Sequence, residues 1–175
     1  VSPFGLTTST RGEPNISKKC PIKVYSSAGE GFLSKDAIAK ENTLLDKYKV
    51  LLSRPISGNL ERPPFKLFAL VKKLKPNEVC THTYLAVGGS RKEDEIDALK
   101  AYLETKFVRF LVLQSLSGMD ISRDKFKFVP MQDFTDKSDI DWSKSIAEID
   151  KQLYKKYGLD KKEIDFIESM IKPME

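Results

Sequence analysis

The residues that could carry a reaction are few. Glu104-Thr105-Lys106 has the spacing of the Glu-x-Lys triplet with which carboxylate-metal nucleases hold a divalent ion and position the attacking water. That chemistry needs a further carboxylate on a neighbouring strand, whereas the nearest acids in sequence, Asp94 and Asp97, fall on what reads as the same helix. A charged helix face is the better account, and only a strand over residues 102–108 would restore the nuclease reading. His82, the single histidine, stands between Thr81 and Thr83 on an expected strand, where it could act as a general base or touch a base edge. No Ser, Cys or Asp accompanies it in a nucleophile pattern, so a polar strand position explains it. Cys20 and Cys80 with one histidine cannot build a four-ligand zinc site or a disulfide framework, and read as small buried or half-buried side chains. Gly29-x-Gly31 and Gly88-Gly89 lack the other glycines and the lysine of a phosphate loop. No catalytic residue and no metal ligand is therefore assigned, and no cofactor is expected in this chain.

Charge is more informative. Residues 1–75 hold 14 Lys/Arg against 6 Asp/Glu, a net of +8, while residues 76–175 hold 16 against 19, a net of −3. A patch of one sign concentrates an oppositely charged polymer at the surface, so the asymmetry concerns partners rather than fold. Lys18, Lys19, Arg54, Arg62, Lys66, Lys72 and Lys73 fall in or beside loops and strand ends, where cations can reach phosphate oxygens. Ser57, Asn59 and Arg62 share a loop bounded by Gly58 and Pro63-Pro64, and Asn and Arg have the donor geometry that suits adenine and guanine edges. Polar loops also carry Ser and Asn simply because they turn. No run reaches the roughly 18 uncharged apolar residues that span a bilayer, and no signal segment opens the chain. A membrane partner is not expected, a cytoplasmic location is, and the initial Val points to a piece of a longer protein.

The elements that must position these side chains follow from periodicity. Ile22-Lys23-Val24-Tyr25 alternates as a strand that Gly29-Glu30-Gly31 ends as a turn. Ser34 to Ala39 suggests a helical turn or two, Leu44, Leu45 and Tyr48 keep a helical spacing, and Lys49–Ser53 is strand-like up to Arg54-Pro55. Lys66–Val71 and Val79–Val87 are the best strand candidates. Past Gly88-Gly89 the pattern is helical: Ser90 and Glu93 are spaced as a capping box, and Ile96, Leu99, Leu103, Phe107, Phe110 and Leu111 form one apolar stripe up to Gln114. Phe126, Phe128 and Val129 read as a strand returning to the sheet. The tail holds a helix over 146–157, Gly158 as its C-terminal cap, Asp160 and Glu163 as a second capping box, and a last helix ending before Pro173. The expected fold is α+β, a small mixed or antiparallel sheet packed on a long central helix, with residues 1–134 as the main domain and 135–175 as a helical appendage.

Together, Pro3-Phe4-Gly5-Leu6, residues 49–54, 79–85 and 102–111, Phe128-Val129-Pro130-Met131-Gln132-Asp133-Phe134 and Leu153-Tyr154-Lys155-Lys156-Tyr157-Gly158-Leu159 resemble the C-terminal region of bacterial restriction-modification enzymes. In that family a target-recognition domain follows an adenine-specific DNA methyltransferase that is sometimes fused to an endonuclease. The resemblance implies a specificity domain that reads double-stranded DNA from its basic half and packs on the methyltransferase domain of its parent chain. S-adenosylmethionine, and Mg where a nuclease is fused, would belong to the parent. The family holds its flipped adenine with an Asn/Asp-Pro-Pro-aromatic loop. Arg62-Pro63-Pro64-Phe65 puts an arginine where the amide or acid must accept, so it reads as a loop rather than a remnant of that site. The expected contacts are Lys18, Lys19, Arg54, Arg62, Lys66, Lys72 and Lys73 to phosphates, and Ser57, Asn59, Arg62 and His82 to bases. The rival readings are a metal-dependent restriction nuclease using Glu104 and Lys106, and a protein-interaction module working through the acidic tail helices.

Overall fold

The fold is α+β, with its strands divided among three small sheets and joined by one strand buried on both faces. The computed structural model describes residues 2–58 and 60–174. In chain order the elements are β1 (Ile22–Ser26), β2 (Gly29–Leu33), β3 (Tyr48–Ser53), β4 (Ile56–Ser57), β5 (Leu67–Phe68), β6 (Val71–Leu74), β7 (Glu78–Cys80), β8 (Tyr84–Ser90), α1 (Glu93–Glu104), α2 (Lys106–Leu113), α3 (Ile146–Lys156) and α4 (Lys161–Met170). The sheets run β2-β1-β7, β6-β3-β8 and β4-β5, and β1 pairs with β7 in parallel while the other ladders are antiparallel.

Alternation along β3 distributes the core. Val50 and Leu52 face a cluster shared with α1 to α4, and Leu51 faces a second cluster built on Phe4, Leu6, β1 and β7. Lys49 lies on the Leu51 side with no exposed surface, and its Nζ donates to the carbonyls of Leu44 (3.1 Å), Lys47 (3.0 Å) and Lys75 (3.1 Å). Burial pushes its ammonium down to about 8, and three acceptors match its three hydrogens. The tail helices are part of the same packing, since Ile149, Leu153, Tyr154 and Ile167 join Val50, Leu52 and Phe68 in one cluster.

Several expected elements are broken by contacts distant in sequence. The helix expected over 90–114 is two helices with an extended residue between them, Thr105 (φ −63°, ψ 152°). The Thr105 hydroxyl donates to Tyr102 O (2.6 Å) and accepts from Val108 N (3.2 Å), the backbone competition that makes threonine a cap. Asp150 of α3 completes the break by accepting from the backbone N–H groups of Lys106 (3.0 Å) and Phe107 (2.9 Å). Ser90 does not form a capping box with Glu93. It ends β8, accepts from Lys92 N and donates to Glu95 Oε2 (2.6 Å).

The run Lys66–Val71 serves two sheets because Leu67 adopts positive φ (69°) and the Ser53 hydroxyl accepts from Ala69 N and Leu70 N. Val79–Val87 is likewise two strands, since Thr81 N bonds Tyr25 O and Tyr84 N bonds Thr81 O (3.0 Å each), which puts His82 in a turn rather than on a strand. Gly29 and Gly31 lie within β2 instead of ending β1, and the turn is Ser27-Ala28. A Cβ on Gly31 would sit 2.9 Å from Gly12 Cα, so this glycine serves a close backbone approach. Residues 44–47 form turns that lead into β3 rather than a helix, held by the Lys49 ammonium. Residues 126–129 end a 3-10 turn (Arg123–Phe126) and form no strand, and Phe128 is 53% exposed.

At the junction of α1 and α2, Arg109 is wholly buried. Its Nε donates to the carbonyls of Glu104 and Thr105 (3.2 Å each), and its Nη1 donates to Lys66 O (3.0 Å) and Lys172 O (2.7 Å), leaving Nη2 without an acceptor. Removing the guanidinium strands those carbonyls in the interior. Arg109→Leu should lower unfolding stability in urea by about 3 kcal/mol, and the Lys172 amide, which donates to Phe65 O (2.9 Å), should lose exchange protection before the strands do.

Desolvation raises the Asp150 carboxyl to about 6, against the two N–H bonds and the nearby Arg109 that favour its charge. The folded state therefore binds a proton that the unfolded state releases between about pH 4 and 6, so this residue's contribution to stability grows as pH falls through that window. The stability gap between the wild type and Asp150→Asn should widen by up to about 3 kcal/mol from pH 7 to pH 4 in urea titrations.

Candidate nucleic-acid interface

The most developed polar cluster on the basic half is centred on Arg54, immediately after β3. The backbone around it is fixed on both sides: Arg54 N donates to Thr83 O (3.3 Å), Ile121 N to Arg54 O (2.7 Å) and Ile56 N to Met119 O (3.2 Å). Its guanidinium meets Asp120 edge-on through Nε (3.4 Å) and Nη2 (2.7 Å), and Nη1 lies 3.0 Å from His82 Nε2. The bond to Asp120 raises the guanidinium's pKa further. Arg54 and His82, far apart in sequence, thus share one site, and Ser57 lies on the following strand, β4. The loop that follows carries Arg62, which is exposed, while Asn59 lies outside the described residues.

The other expected contacts are dispersed. Lys72 and Lys73 are adjacent on β6 and so emerge on opposite faces of the sheet. Lys72 lies over the Tyr25 ring (4.4 Å to its centroid) and pairs with Glu30, whereas Lys73 turns to α1 and pairs with Glu93 (2.7 Å) and Asp97 (2.6 Å). Lys18 and Lys19 line a cleft of about 480 Å³ with Lys35, Asp36 and Asn77. Asn77 precedes β7 and His82 follows it, so these lysines and the Arg54 cluster lie toward opposite ends of that three-residue strand. Lys66 is half-buried, with its carbonyl held by Arg109.

The residues of the nuclease reading are held in ion pairs. Residues 102–108 are helical apart from the Thr105 junction; Glu104 pairs with Lys100 (2.7 Å) and Lys106 with Glu168. In Arg62-Pro63-Pro64-Phe65 the aromatic ring is not offered to a ligand, for Phe65 is buried, donates its N–H to Met170 O (2.8 Å) and accepts from Lys172 N. The two segments most specific to the family resemblance touch each other. Gln132 donates to Tyr157 Oη (2.6 Å) and accepts from Lys156 Nζ (2.9 Å), Tyr102 Oη donates to Pro130 O (2.7 Å), and Phe134, Trp142 and Tyr102 pack with centroids 5.3 to 5.7 Å apart. Their role here is to brace α3 against α1.

No family model matches the chain, and no curated protein or solved structure is similar enough to it to count as a match. No helix among the described residues is long and apolar enough to cross a membrane. Sequence reasoning missed Asp120, which no local motif marks and which meets Arg54 only because residues 119–121 pair with 54–56.

The Arg54 side chain is 21% exposed and that of Asp120 57%. Exposed ion pairs of this kind contribute about 1 kcal/mol or less. Arg54→Ala should therefore unfold in urea within about 1 kcal/mol of the wild type, which makes it a clean probe of binding.

Proposed function

We propose that this chain is the DNA target-recognition domain of a restriction-modification enzyme, directing methylation or cleavage by catalytic domains outside it. The observation that carries the reading is the Arg54 cluster. A guanidinium from the basic half and the imidazole of the turn between β7 and β8 converge on one site, and Ser57 and Arg62 follow that guanidinium in sequence. A guanidinium binds phosphate or the guanine edge through two parallel N–H groups, and an imidazole or hydroxyl beside it adds a further donor or acceptor. The excess of cations in residues 1–75 and the family resemblance of the Phe128–Phe134 and Leu153–Leu159 segments support the same assignment. Lys18, Lys19, Arg54, Arg62 and Lys66 serve as backbone contacts, and Ser57, Arg62 and His82 approach bases. The chain holds no cofactor of its own in this reading, and S-adenosylmethionine, with Mg for a fused nuclease, acts in the parent's other domains. The working compartment is the cytoplasm, where the parent meets DNA.

The test is fluorescence anisotropy with a labelled random-sequence duplex over a salt series. Binding should weaken with a log–log slope of about −3 or steeper, since each neutralised phosphate contributes about −0.9. Arg62→Ala and Lys66→Ala should each make the slope shallower by about 1. Absence of binding at low salt rejects the reading.

One observation favours a second reading, a protein-interaction module. Asp94, Asp97, Asp136, Asp139 and Asp141 line a cleft of about 580 Å³ beside Trp142, a surface that repels DNA and attracts basic chains. Deleting residues 135–175 would not isolate that surface, because Ile149, Leu153 and Ile167 belong to the core. Asp136→Asn with Asp139→Asn leaves the core in place and is the variant to compare in partner binding.

A further inference from the structure

The Arg54 cluster contains an acid that a DNA contact would have to displace. We propose that Asp120 is an intramolecular gate on Arg54: its carboxylate occupies the guanidinium edge that nucleic-acid phosphate takes in the complex, and binding exchanges one anion for the other. The inference rests on the DNA-binding reading above and adds a means by which the domain sets its own affinity.

Three features of the cluster support an exchange rather than a fixed buttress. First, the contact is the two-point, edge-on arrangement through Nε and Nη2 in which a guanidinium holds carboxylate and phosphate alike, so the two anions compete for the same donors. Second, Asp120 is the exposed partner, at 57%, and an exposed pair is weak enough to open without disturbing the core. Third, movement is confined to side chains. Both backbone segments are tied together by Ile121 N to Arg54 O (2.7 Å) and Ile56 N to Met119 O (3.2 Å), so Arg54 keeps its place while the aspartate swings away. His82 Nε2, 3.0 Å from Nη1, keeps the guanidinium plane oriented during the exchange.

A gate of this kind has a consequence for selectivity. A lone phosphate must overcome the local carboxylate, so a weak encounter leaves Arg54 closed. Only an approach that brings further contacts, from Arg62 or Ser57, offsets the loss of the pair. The carboxylate also repels a phosphate that docks in the wrong register, which is discrimination by an unfavourable contact.

The experiment compares the wild type, Asp120→Asn, Arg54→Ala and the double variant by anisotropy on the same random-sequence duplex, with Asp165→Asn as a control of equal charge change on α4. Asp120→Asn should bind about three- to tenfold more tightly than the Asp165→Asn control, and the gain should vanish in the double variant. In the wild type, which needs no substitution to fold, the ¹⁵N resonance of the Arg54 Nε–H should shift on titration with the duplex. Equal gains for Asp120→Asn and Asp165→Asn, weaker binding of Asp120→Asn, or an unmoved Arg54 resonance in a wild type that binds DNA would each overturn the gate and leave the DNA-binding reading standing. Absence of binding by both the wild type and Asp120→Asn overturns both.

Discussion

One buried cation ties the tail of the chain to two other segments at the centre of the fold. Arg109 collects carbonyl oxygens from the α1–α2 junction, from the residue before β5 and from Lys172 beyond α4. A buried guanidinium is costly on its own, and burial pushes its pKa down to about 10 even with Asp150 close. The compensation is geometric. Its fork reaches three chain segments that share no regular ladder, and the ionised form is the one that can donate to all of them. Asp150 works from the opposite side, closing the N-terminus of α2 through two backbone N–H groups. Its negative charge also suits the positive end of that helix. An acid and a base with no direct bond between them therefore determine one corner, at which α1, α2, α3, β5 and the C-terminal segment meet.

Lys49 plays a comparable part in the other half of the core. A strand that packs on both faces leaves no solvent side for a polar residue, so a lysine in β3 has to be satisfied from within. Three carbonyls from residues 44, 47 and 75 do this and, in doing so, fix the irregular segment that precedes β3 to the end of β6. Both halves thus use a fully buried cation to organise backbone that forms no ladder. The basic composition of residues 1–75 is consequently not all surface charge, and some of it is structural.

How much of this the sequence displayed depends on the reach of each interaction. Asp160 and Glu163 were legible as a capping box because both partners of both bonds lie within four residues, and the two bonds form (2.9 and 2.8 Å). Ser90 and Glu93 carry the same signal and fail, because β8 claims the serine and Glu95 takes its hydroxyl. The apolar stripe of α1 and α2 was correctly seen, but its break was not, since half of the cap at Lys106 comes from a residue 44 positions away. Apolar runs such as 66–71 and 79–87 conceal two strands each for a related reason. Each run crosses between sheets, and its corner is made by contacts from elsewhere in the chain, to the Ser53 hydroxyl and to Tyr25 O, which periodicity does not register.

The candidate site shows the same division at the level of charge. Composition reported a basic half, and the fold splits it. Lys73 is drawn onto α1, Lys72 onto Tyr25 and Glu30, Lys49 into the core and Arg54 onto Asp120. The exposed cations that remain are dispersed, with Lys18, Lys19 and Lys35 at a cleft and Arg62 in the loop after β4. A buried or paired cation adds little to the field at the surface, so the net charge of residues 1–75 overstates the charge that a partner would meet.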